Sequence, residues 1–278
     1  MLRILIVTLL ILVGAGPASS QQDTSHRIAS FNIRDFGPTK AAQPAILNYL
    51  AEVVRHFDIV AVQEISDVRE TVPRIFLEAI NAIGAHYQVL LSERTGKQPD
   101  DRTSQEQYAF YFNADRVVAL DLGALFDDSR NDRFQREPFT ALFGLIGSNL
   151  TLTITQVHTR PESALHEVDA LFEVYEDVGR RYPSERNHLI VGDFNASCSY
   201  ASPQQLRSLQ IRGPSFRWIV PDTADTTVSP TTRCAYDRIV ANSALRTRFA
   251  RWGVADWFTD PAISDHWPVW VSFRANMK

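Results

Sequence analysis

The sequence predicts an α/β fold in which two β-sheets pack face to face and helices cover their outer sides. Two observations support this class. Many short apolar segments, bounded by turn residues, have the length and composition of strands, and a few longer segments between them have helical periodicity. Strands interleaved with few helices favour sheet-on-sheet packing, because each sheet must bury one face against the other and its second face against helices.

The predicted elements follow the chain in order. Gly147-Ser148-Asn149 and Asn113-Ala114-Asp115 have turn composition, and each predicts a hairpin between the strands that flank it. The predicted strands are Ile28–Ile33, Asp58–Glu64, Tyr87–Ser92, Tyr108–Asn113, Val117–Leu122, Thr140–Ile146, Leu150–His158, His188–Asp193, Tyr236–Val240 and Trp267–Phe273. The predicted helices are Pro44–Phe57, Pro73–Ile83, Ala164–Tyr182 and Pro203–Leu209.

The first twenty residues have the pattern of a secretory signal peptide. Arg3 precedes an apolar stretch over 4–13, and small residues then lead to Gln21. A membrane anchor is the alternative, but it needs about 20 apolar residues, and Pro17 ends this stretch early. We therefore predict a signal peptide over residues 1–20 and one catalytic domain over 21–278, a secreted protein with no membrane association after cleavage.

Charge and cysteine content restrict the possible partners. The chain carries 28 Lys and Arg against 32 Asp and Glu, a net charge of −4, whereas a protein that binds polyanions over a broad surface is normally basic. Either nucleic acid is not the substrate, or contact depends on local arginines and metal ions. Cys198 and Cys234 form one disulfide if the protein is exported to an oxidising compartment, and buried free thiols are the alternative.

Polar residues lie at the ends of several predicted strands, where an apolar strand does not need them. Hydrolysis of a phosphodiester requires an activated water, a proton for the leaving oxygen and positive charge near phosphorus. Mg²⁺ prefers carboxylates such as Glu64, and two histidines can divide the base and acid roles if a carboxylate orients each ring. The strand-end residues are Asn32, Gln63, Glu64, His158, Asp193, Asn195, Asp237, Asp265 and His266, with Glu106 as a further carboxylate.

Several of these residues lie in longer motifs. Two of the motifs are Gly192-Asp193-Phe194-Asn195 and Ser264-Asp265-His266, and three others are Arg136-Glu137-Pro138, Cys198-Ser199-Tyr200 and Cys234-Ala235-Tyr236-Asp237-Arg238-Ile239-Val240. With these motifs the chain resembles the pancreatic-type deoxyribonuclease I family of secreted endonucleases, within the exonuclease–endonuclease–phosphatase fold, and the resemblance extends from Ile28 to about Phe273. The strand-end glutamate and the first two motifs occur across the fold, whereas the other three are more specific to this family.

The resemblance implies a four-layer sandwich, in which two central mixed β-sheets pack face to face between α-helices. It implies that His158 pairs with Glu106 and that His266 pairs with Asp237, one pair activating water and the other protonating the 3′ oxygen. Glu64 is then the main ligand of Mg²⁺ or Mn²⁺, and Arg136 contacts phosphate. The residues that hold metal, phosphate and water are Asn32, Asp193, Asn195 and Asp265.

Two calcium sites that stabilise loops are also implied. Asp225 and Thr227 match the first, with Thr231 or Thr232 as a further ligand. The second matches Asp128, Asp132, the Phe134 carbonyl and Glu137 in a shortened loop. A solvated acidic loop is the alternative there, because carboxylates become a Ca²⁺ site only when several oxygens converge.

Two departures from the family affect DNA contact. Ser66 stands where the family places a groove-binding arginine, and Ser104 replaces a tyrosine that lines the groove. We expect phosphate contacts from Arg94, Lys97 and Arg102 to replace part of these groove contacts. The alternative is that the loop carrying these residues is solvated and does not bind DNA. Residues for actin binding are not convincingly present, so we predict no actin binding and a monomer.

The sequence therefore predicts a secreted, metal-dependent endonuclease that cuts DNA with little sequence preference and leaves 5′-phosphate ends. Duplex DNA is the expected substrate, and single-stranded DNA is a further candidate. A sphingomyelinase, a phosphoinositide phosphatase, a genotoxin subunit and a DNA-binding scavenger are the alternatives. His26, His56 and His86 are expected to be plain surface histidines, and Asn149 begins a glycosylation sequon.

Overall fold

The computed structural model describes residues 25–96 and 105–274. The predicted signal peptide, Lys97, Arg102 and Ser104 lie outside these ranges. The strands are β1 (Ser25–Asn32), β2 (Ile59–Ile65), β3 (Tyr87–Leu91), β4 (Gln107–Asn113), β5 (Val117–Ala119), β6 (Ala124–Leu125), β7 (Phe139–Leu145), β8 (Thr151–His158), β9 (His188–Asp193), β10 (Phe216–Trp218), β11 (Asp237–Asn242), β12 (Phe249–Val254) and β13 (Val269–Arg274). The helices are α1 (Pro38–Ala41), α2 (Pro44–Arg55), α3 (Val72–Asn81), α4 (Ala164–Arg181) and α5 (Pro203–Arg207).

Two mixed sheets form the centre of the molecule. One has six strands in the order β12-β13-β1-β2-β4-β3, and the other has seven strands, with the path β10-β11-β9-β8-β7-β5 and β6 beside β7. Within them, β1 and β2 are parallel, as are β8 and β9, while the other pairs are antiparallel. Among the described residues, no helix combines the length and the apolar character needed to cross a bilayer.

Alternation of apolar residues along each strand gives four layers. In β2, Ile59 and Ala61 face the core between the sheets, while Val60 and Val62 face the outer core with α2 and α3. On the opposite side, Ile190 of β9 packs into the cluster that α4 lines. Burying a large apolar side chain contributes about 1.5–3 kcal/mol, so both faces of each sheet stabilise the fold. The predicted sandwich is confirmed.

Each predicted strand and helix is present, with ends that differ by a few residues. The turn at 147–149 joins the antiparallel strands β7 and β8, as predicted. The second predicted hairpin is wrong: the turn at 113–115 carries the chain from β4 in one sheet to β5 in the other. Val117 then packs between the two sheets. Its partners there lie far away along the chain, so the composition of the turn does not predict this packing. The sequence analysis also missed α1, β6, β10 and β12.

Candidate active site

Strand order and register bring the predicted site residues to one rim of the sandwich. In the parallel pair β1–β2, Asn32 is opposite Gln63, one residue before Glu64. In the other sheet, Asp193 at the end of β9 is opposite both His158 of β8 and Asp237 of β11. The carboxyl ends of both parallel pairs therefore lie beside each other and form the site from two different sheets.

Asp193 lies at the centre of this rim and is only 1% exposed. Its Oδ2 accepts a hydrogen bond from Asn32 Nδ2 at 3.0 Å. The same oxygen lies 3.7 Å from His158 Nε2 and 3.6 Å from His266 Nε2. One buried carboxylate therefore faces both imidazole rings and connects the two halves of the site.

The first histidine pair joins His158 to Glu106. His158 Nδ1 lies 2.9 Å from Glu106 Oε2, and Arg136 Nη2 lies 2.6 Å from the other carboxylate oxygen. Burial alone favours the neutral ring, but the Glu106 carboxylate outweighs it and raises the pKa of His158 to about 9. Although burial opposes its charge, His158 and Arg136 lower the pKa of Glu106. Glu106 thus stays ionised and fixes the orientation of the ring.

The second pair has the same form. His266 Nδ1 lies 2.8 Å from Asp237 Oδ2, and the carboxylate is completely buried. Despite the burial of the ring, Asp237 and then Asp193 raise the pKa of His266 well above its ordinary value. In both pairs Nδ1 faces the carboxylate and Nε2 faces Asp193, so Nε2 is the atom available for proton transfer.

Glu64 is the residue best placed to hold a divalent cation. Its Oε1 accepts from Asn32 Nδ2 at 2.7 Å, and its Oε2 accepts from the Asp35 N–H at 2.8 Å. The backbone of Glu64 has φ +64°, a strained conformation that persists only where the surroundings hold it. The carboxylate is partly exposed, at 19%, and lines a cavity of about 440 Å³ together with His158, Glu106 and Arg136.

The chemistry of these groups fits Mg²⁺, which prefers one or two carboxylates and keeps several waters. A second cluster of ligand atoms, from Asp193, Asp237 and His266, lies within 4.8 Å, but it is buried and the His266–Asp237 bond already uses part of it. Asp265 is half-exposed, and its Oδ2 lies 3.8 Å from Arg34 Nε. Of the two groups of ligand atoms, the Glu64 side is therefore the one that could hold a cation.

Asn195 follows Asp193 in a tight turn. Its backbone N–H donates to Asp193 Oδ1 at 2.9 Å, and its side-chain amide donates to the Thr159 carbonyl at 2.9 Å. Its φ is +48°, a left-handed conformation that Asn tolerates better than most residues. Asn195-Ala196-Ser197 has the sequence of a glycosylation sequon, but the buried Asn195 side chain leaves no room for a glycan.

The structure joins Cys198 to Cys234 in a disulfide, with a Cα–Cα distance of 5.8 Å. This confirms the predicted bond and excludes the alternative of two free thiols. The bond ties the loop after Asn195 to the segment that enters β11 at Asp237. It therefore crosslinks the supports of two site residues.

The residues of the predicted calcium sites gather in two loops. Asp225 Oδ1 accepts from the backbone N–H and the hydroxyl of Thr227, at 3.1 and 2.9 Å. The Thr227 hydroxyl also lies 2.9 Å from the Thr232 carbonyl, which favours Thr232 over Thr231 as the further ligand. Backbone pairing between Thr227 and His266 joins this loop to the rim that carries the candidate site.

In the second loop, Asp128 is buried and accepts a 2.7 Å hydrogen bond from the Phe134 N–H. Burial, and then the negative charges of Glu137 and Asp132, raise its pKa. Glu137 accepts a hydrogen bond from Thr95. Calcium occupancy of either loop stays a prediction.

Arg94 is positioned differently from the expected phosphate contact. Its guanidinium donates to the Asp67 carbonyl at 2.9 Å and to the Gln105 carbonyl. These bonds join Arg94 to Asp67, which precedes α3, and to Gln105, which precedes β4. Its role in binding DNA stays a prediction, as do those of Lys97 and Arg102.

Sequence analysis missed several supporting residues. Lys40 is buried, and its ammonium donates to the carbonyls of Ile33 and Arg34 at 2.7 and 2.8 Å. Burial lowers its pKa to about 8. The Tyr108 hydroxyl accepts from the His158 N–H at 2.9 Å. No sequence motif marks either residue, because each forms hydrogen bonds with backbone groups that only the folded chain brings near.

Three histidines were expected to lie on the surface. His56 and His86 do so, and His86 Nδ1 lies 3.0 Å from Asp115 Oδ2. The expectation is wrong for His26, which is 2% exposed and has its Nε2 3.1 Å from the Ile146 carbonyl. The predicted strand began only at Ile28, whereas β1 begins at Ser25. His26 therefore lies in the strand, on the same face as Ile28, which packs between the sheets.

The fold and the geometry of the site together define the class of protein to which this chain belongs. Residues 29–266 match the Endonuclease/Exonuclease/phosphatase family. A structure of a member of this family from Bacteroides thetaiotaomicron aligns with a TM-score of 0.63 at 17% identity, covering 92% of this chain and 100% of that chain. D. rerio TDP2, solved with a single-strand DNA product, aligns with a TM-score of 0.63 at 15% identity, over 92% and 100% of the two chains. These structural similarities establish the fold.

Sequence relatives narrow the class. Deoxyribonuclease-1 of Sus scrofa is 37% identical over 269 residues, which cover 90% of this chain and 92% of the relative. Deoxyribonuclease-1 of Homo sapiens is 36% identical over 273 residues, covering 91% and 94%. The chain therefore belongs to the Endonuclease/Exonuclease/phosphatase family and, within it, to the deoxyribonuclease-1 group. The resemblance in its motifs is confirmed.

Proposed function

We propose that this protein is a secreted, divalent-metal-dependent deoxyribonuclease that cuts within DNA strands with little sequence preference and leaves 5′-phosphate ends. The observation that carries the proposal is the pair of His–carboxylate dyads whose Nε2 atoms lie 3.7 and 3.6 Å from one oxygen of Asp193. The names of the sequence relatives support DNA as the substrate. Duplex DNA is the first candidate and single-stranded DNA the second.

The chain's own groups divide the reaction between them. One imidazole takes a proton from the attacking water at Nε2, and the other gives a proton to the 3′ oxygen as it leaves. Glu106 and Asp237 stabilise the charged rings and hold Nδ1 in place. Arg136, Asn32 and Asn195 are the groups that orient phosphate, and a cation held by Glu64 and Asp265 would supply positive charge at the phosphate oxygens.

Other parts of the proposal concern stability and export. Calcium at Asp225 and Thr227, and at Asp128, Asp132 and Glu137, would stabilise the two loops without entering the reaction. Export through a signal peptide over residues 1–20 is consistent with the Cys198–Cys234 disulfide. We also propose a monomer that does not bind actin.

Cleavage of plasmid DNA tests this function. The mature protein should nick plasmid with Mg²⁺, or with Mg²⁺ plus Ca²⁺, and should be inactive in EDTA. His158→Ala and His266→Ala should each lower turnover by at least ~10²-fold while the fold persists. His86→Ala is the matched control, because it also removes a histidine bonded to a carboxylate, on the exposed surface. Near-normal turnover of either rim variant removes that histidine from the mechanism.

Two further measurements separate the alternatives. Ligation of the products without prior kinase treatment reports 5′-phosphate ends. Sphingomyelin hydrolysis by the same preparation, in the absence of DNA cleavage, would replace the proposed function with the lipid-directed alternative.

A further inference from the structure

One cation beside the site has no role in the reaction described above. Arg160 lines the cavity of about 440 Å³ that Glu64, Glu106, Arg136 and His158 also line. Its side chain is 55% exposed, and its Nε lies 2.8 Å from Glu162 Oε2. Sequence analysis gave this arginine no function, because it lies outside the recognised motifs.

The backbone that carries Arg160 is fixed relative to the reaction centre. It follows His158 by two residues, and the intervening Thr159 is bonded to the end of β9. The Thr159 N–H donates to the Asp193 carbonyl at 3.0 Å, its hydroxyl donates to the Phe194 carbonyl at 2.6 Å, and its carbonyl accepts from Asn195 at 2.9 Å. The arginine side chain therefore begins at a defined point, while its guanidinium can still move.

The charged groups of the cavity leave Arg160 as the cation most available to a ligand. Glu106 is held by His158 and Arg136, and Glu64 is held by Asn32 and the Asp35 N–H. The partner of Arg160 is Glu162, whose side chain is 67% exposed. An exposed ion pair of this kind is weak, so a phosphate can displace this carboxylate at little cost.

An acidic protein that binds a polyanion must do so through local cations. Ser66 provides none, and the Arg94 guanidinium donates to two backbone carbonyls. We propose that Arg160 is a substrate-binding residue that contacts a DNA phosphate next to the scissile one, and that Glu162 holds it when no DNA is bound. This proposal rests on the proposed function and names a further part of its DNA-binding surface.

DNA binding without cleavage tests the role of Arg160. A labelled duplex is titrated, in EDTA and over a salt series, with protein carrying His266→Ala. Adding Arg160→Gln should weaken binding about fivefold at low salt and lower the log–log salt slope by about 0.9, the change for one lost phosphate contact. The matched control is Arg180→Gln, since Arg180 is also exposed and paired with a neighbouring carboxylate, Asp177, on α4. That control should change neither quantity.

Glu162→Gln provides the opposite perturbation. It releases Arg160 and should tighten binding, so weaker binding would overturn the role of Glu162. Equal affinities and slopes for Arg160→Gln and Arg180→Gln would overturn the role of Arg160. If the wild-type protein cuts plasmid and Arg160→Gln binds DNA normally, only this inference is refuted. If the wild-type protein neither binds nor cuts DNA, the proposed function itself is refuted.

Discussion

Gly192 offers the sharpest test of how the fold positions the site. It lies one residue before Asp193, with φ +146°, and a methyl group there would lie 1.9 Å from the Val157 carbonyl oxygen of the neighbouring strand. Real Cβ atoms stay at least 3.0 Å from such atoms. In Gly192→Ala, β8 and β9 must therefore separate by about 1 Å, at the register that joins His158 to Asp193.

The expected costs follow from this geometry. Strained backbone at a positive φ destabilises the folded state by about 1–3 kcal/mol, and forced overpacking destabilises it by a similar amount. Gly192→Ala should therefore lower the free energy of unfolding by about 2–6 kcal/mol. A displacement of about 1 Å between catalytic groups costs about 10²-fold in rate. Urea unfolding and plasmid nicking measure the two effects.

Gly179 provides the control. It lies on the exposed side of α4, and a methyl group there would meet nothing within 4 Å. Gly179→Ala should therefore raise the free energy of unfolding by about 0.5–1 kcal/mol and leave nicking unchanged. Wild-type stability and turnover in Gly192→Ala would refute the reasoning, because strands that accept a methyl group there cannot set the position of Asp193.

Three further predictions concern the supports of the site. Replacing Cys198 and Cys234 by serine should lower the free energy of unfolding by about 3–4 kcal/mol, and unchanged urea midpoints would contradict this. Lys40→Met should raise the Mg²⁺ concentration for half-maximal nicking by about 10-fold or more, because Lys40 holds the turn in which the Asp35 N–H binds Glu64. An unchanged Mg²⁺ requirement would contradict this. Although burial opposes its charge, backbone N–H donors lower the pKa of Asp67, so its stabilisation should be present above about pH 4 and lost as pH falls through the lowered pKa. Urea unfolding of wild-type protein and Asp67→Asn across this range should converge in acid, and a constant difference would exclude the effect.

Local patterns predicted the layers of this fold but not all of its pairings. The apolar segment over 58–64 predicted β2, because its length and composition lie within the segment, whereas only the structure shows which core each of its side chains faces. The edge strand β12 was missed, since its residues are half-buried or exposed throughout and so show little alternation. The turn at 113–115 has hairpin composition, yet only long-range packing decides that the next strand joins the other sheet.

The sequence predicted the residues of the candidate site better than the residues that hold the site in place. Residue type and strand-end position identified His158, Asp193 and His266, because catalysis requires groups that core packing does not. Lys40 and Arg94 could not be interpreted in this way, since each binds backbone carbonyls that only the folded chain brings near. Sequence also gave no reason for the glycine before Asp193, which the close approach of the Val157 carbonyl explains.

The central position of Asp193 means that the two histidines do not titrate or act independently. Its Oδ2 lies within 4 Å of both Nε2 atoms, so a proton gained by one ring weakens the attraction that the carboxylate offers the other. Apparent pKa values in a pH–rate profile therefore belong to the two rings together. In a double-mutant cycle, the losses from His158→Ala and His266→Ala should fall short of additivity, because removing either ring already disables the unit that all three form.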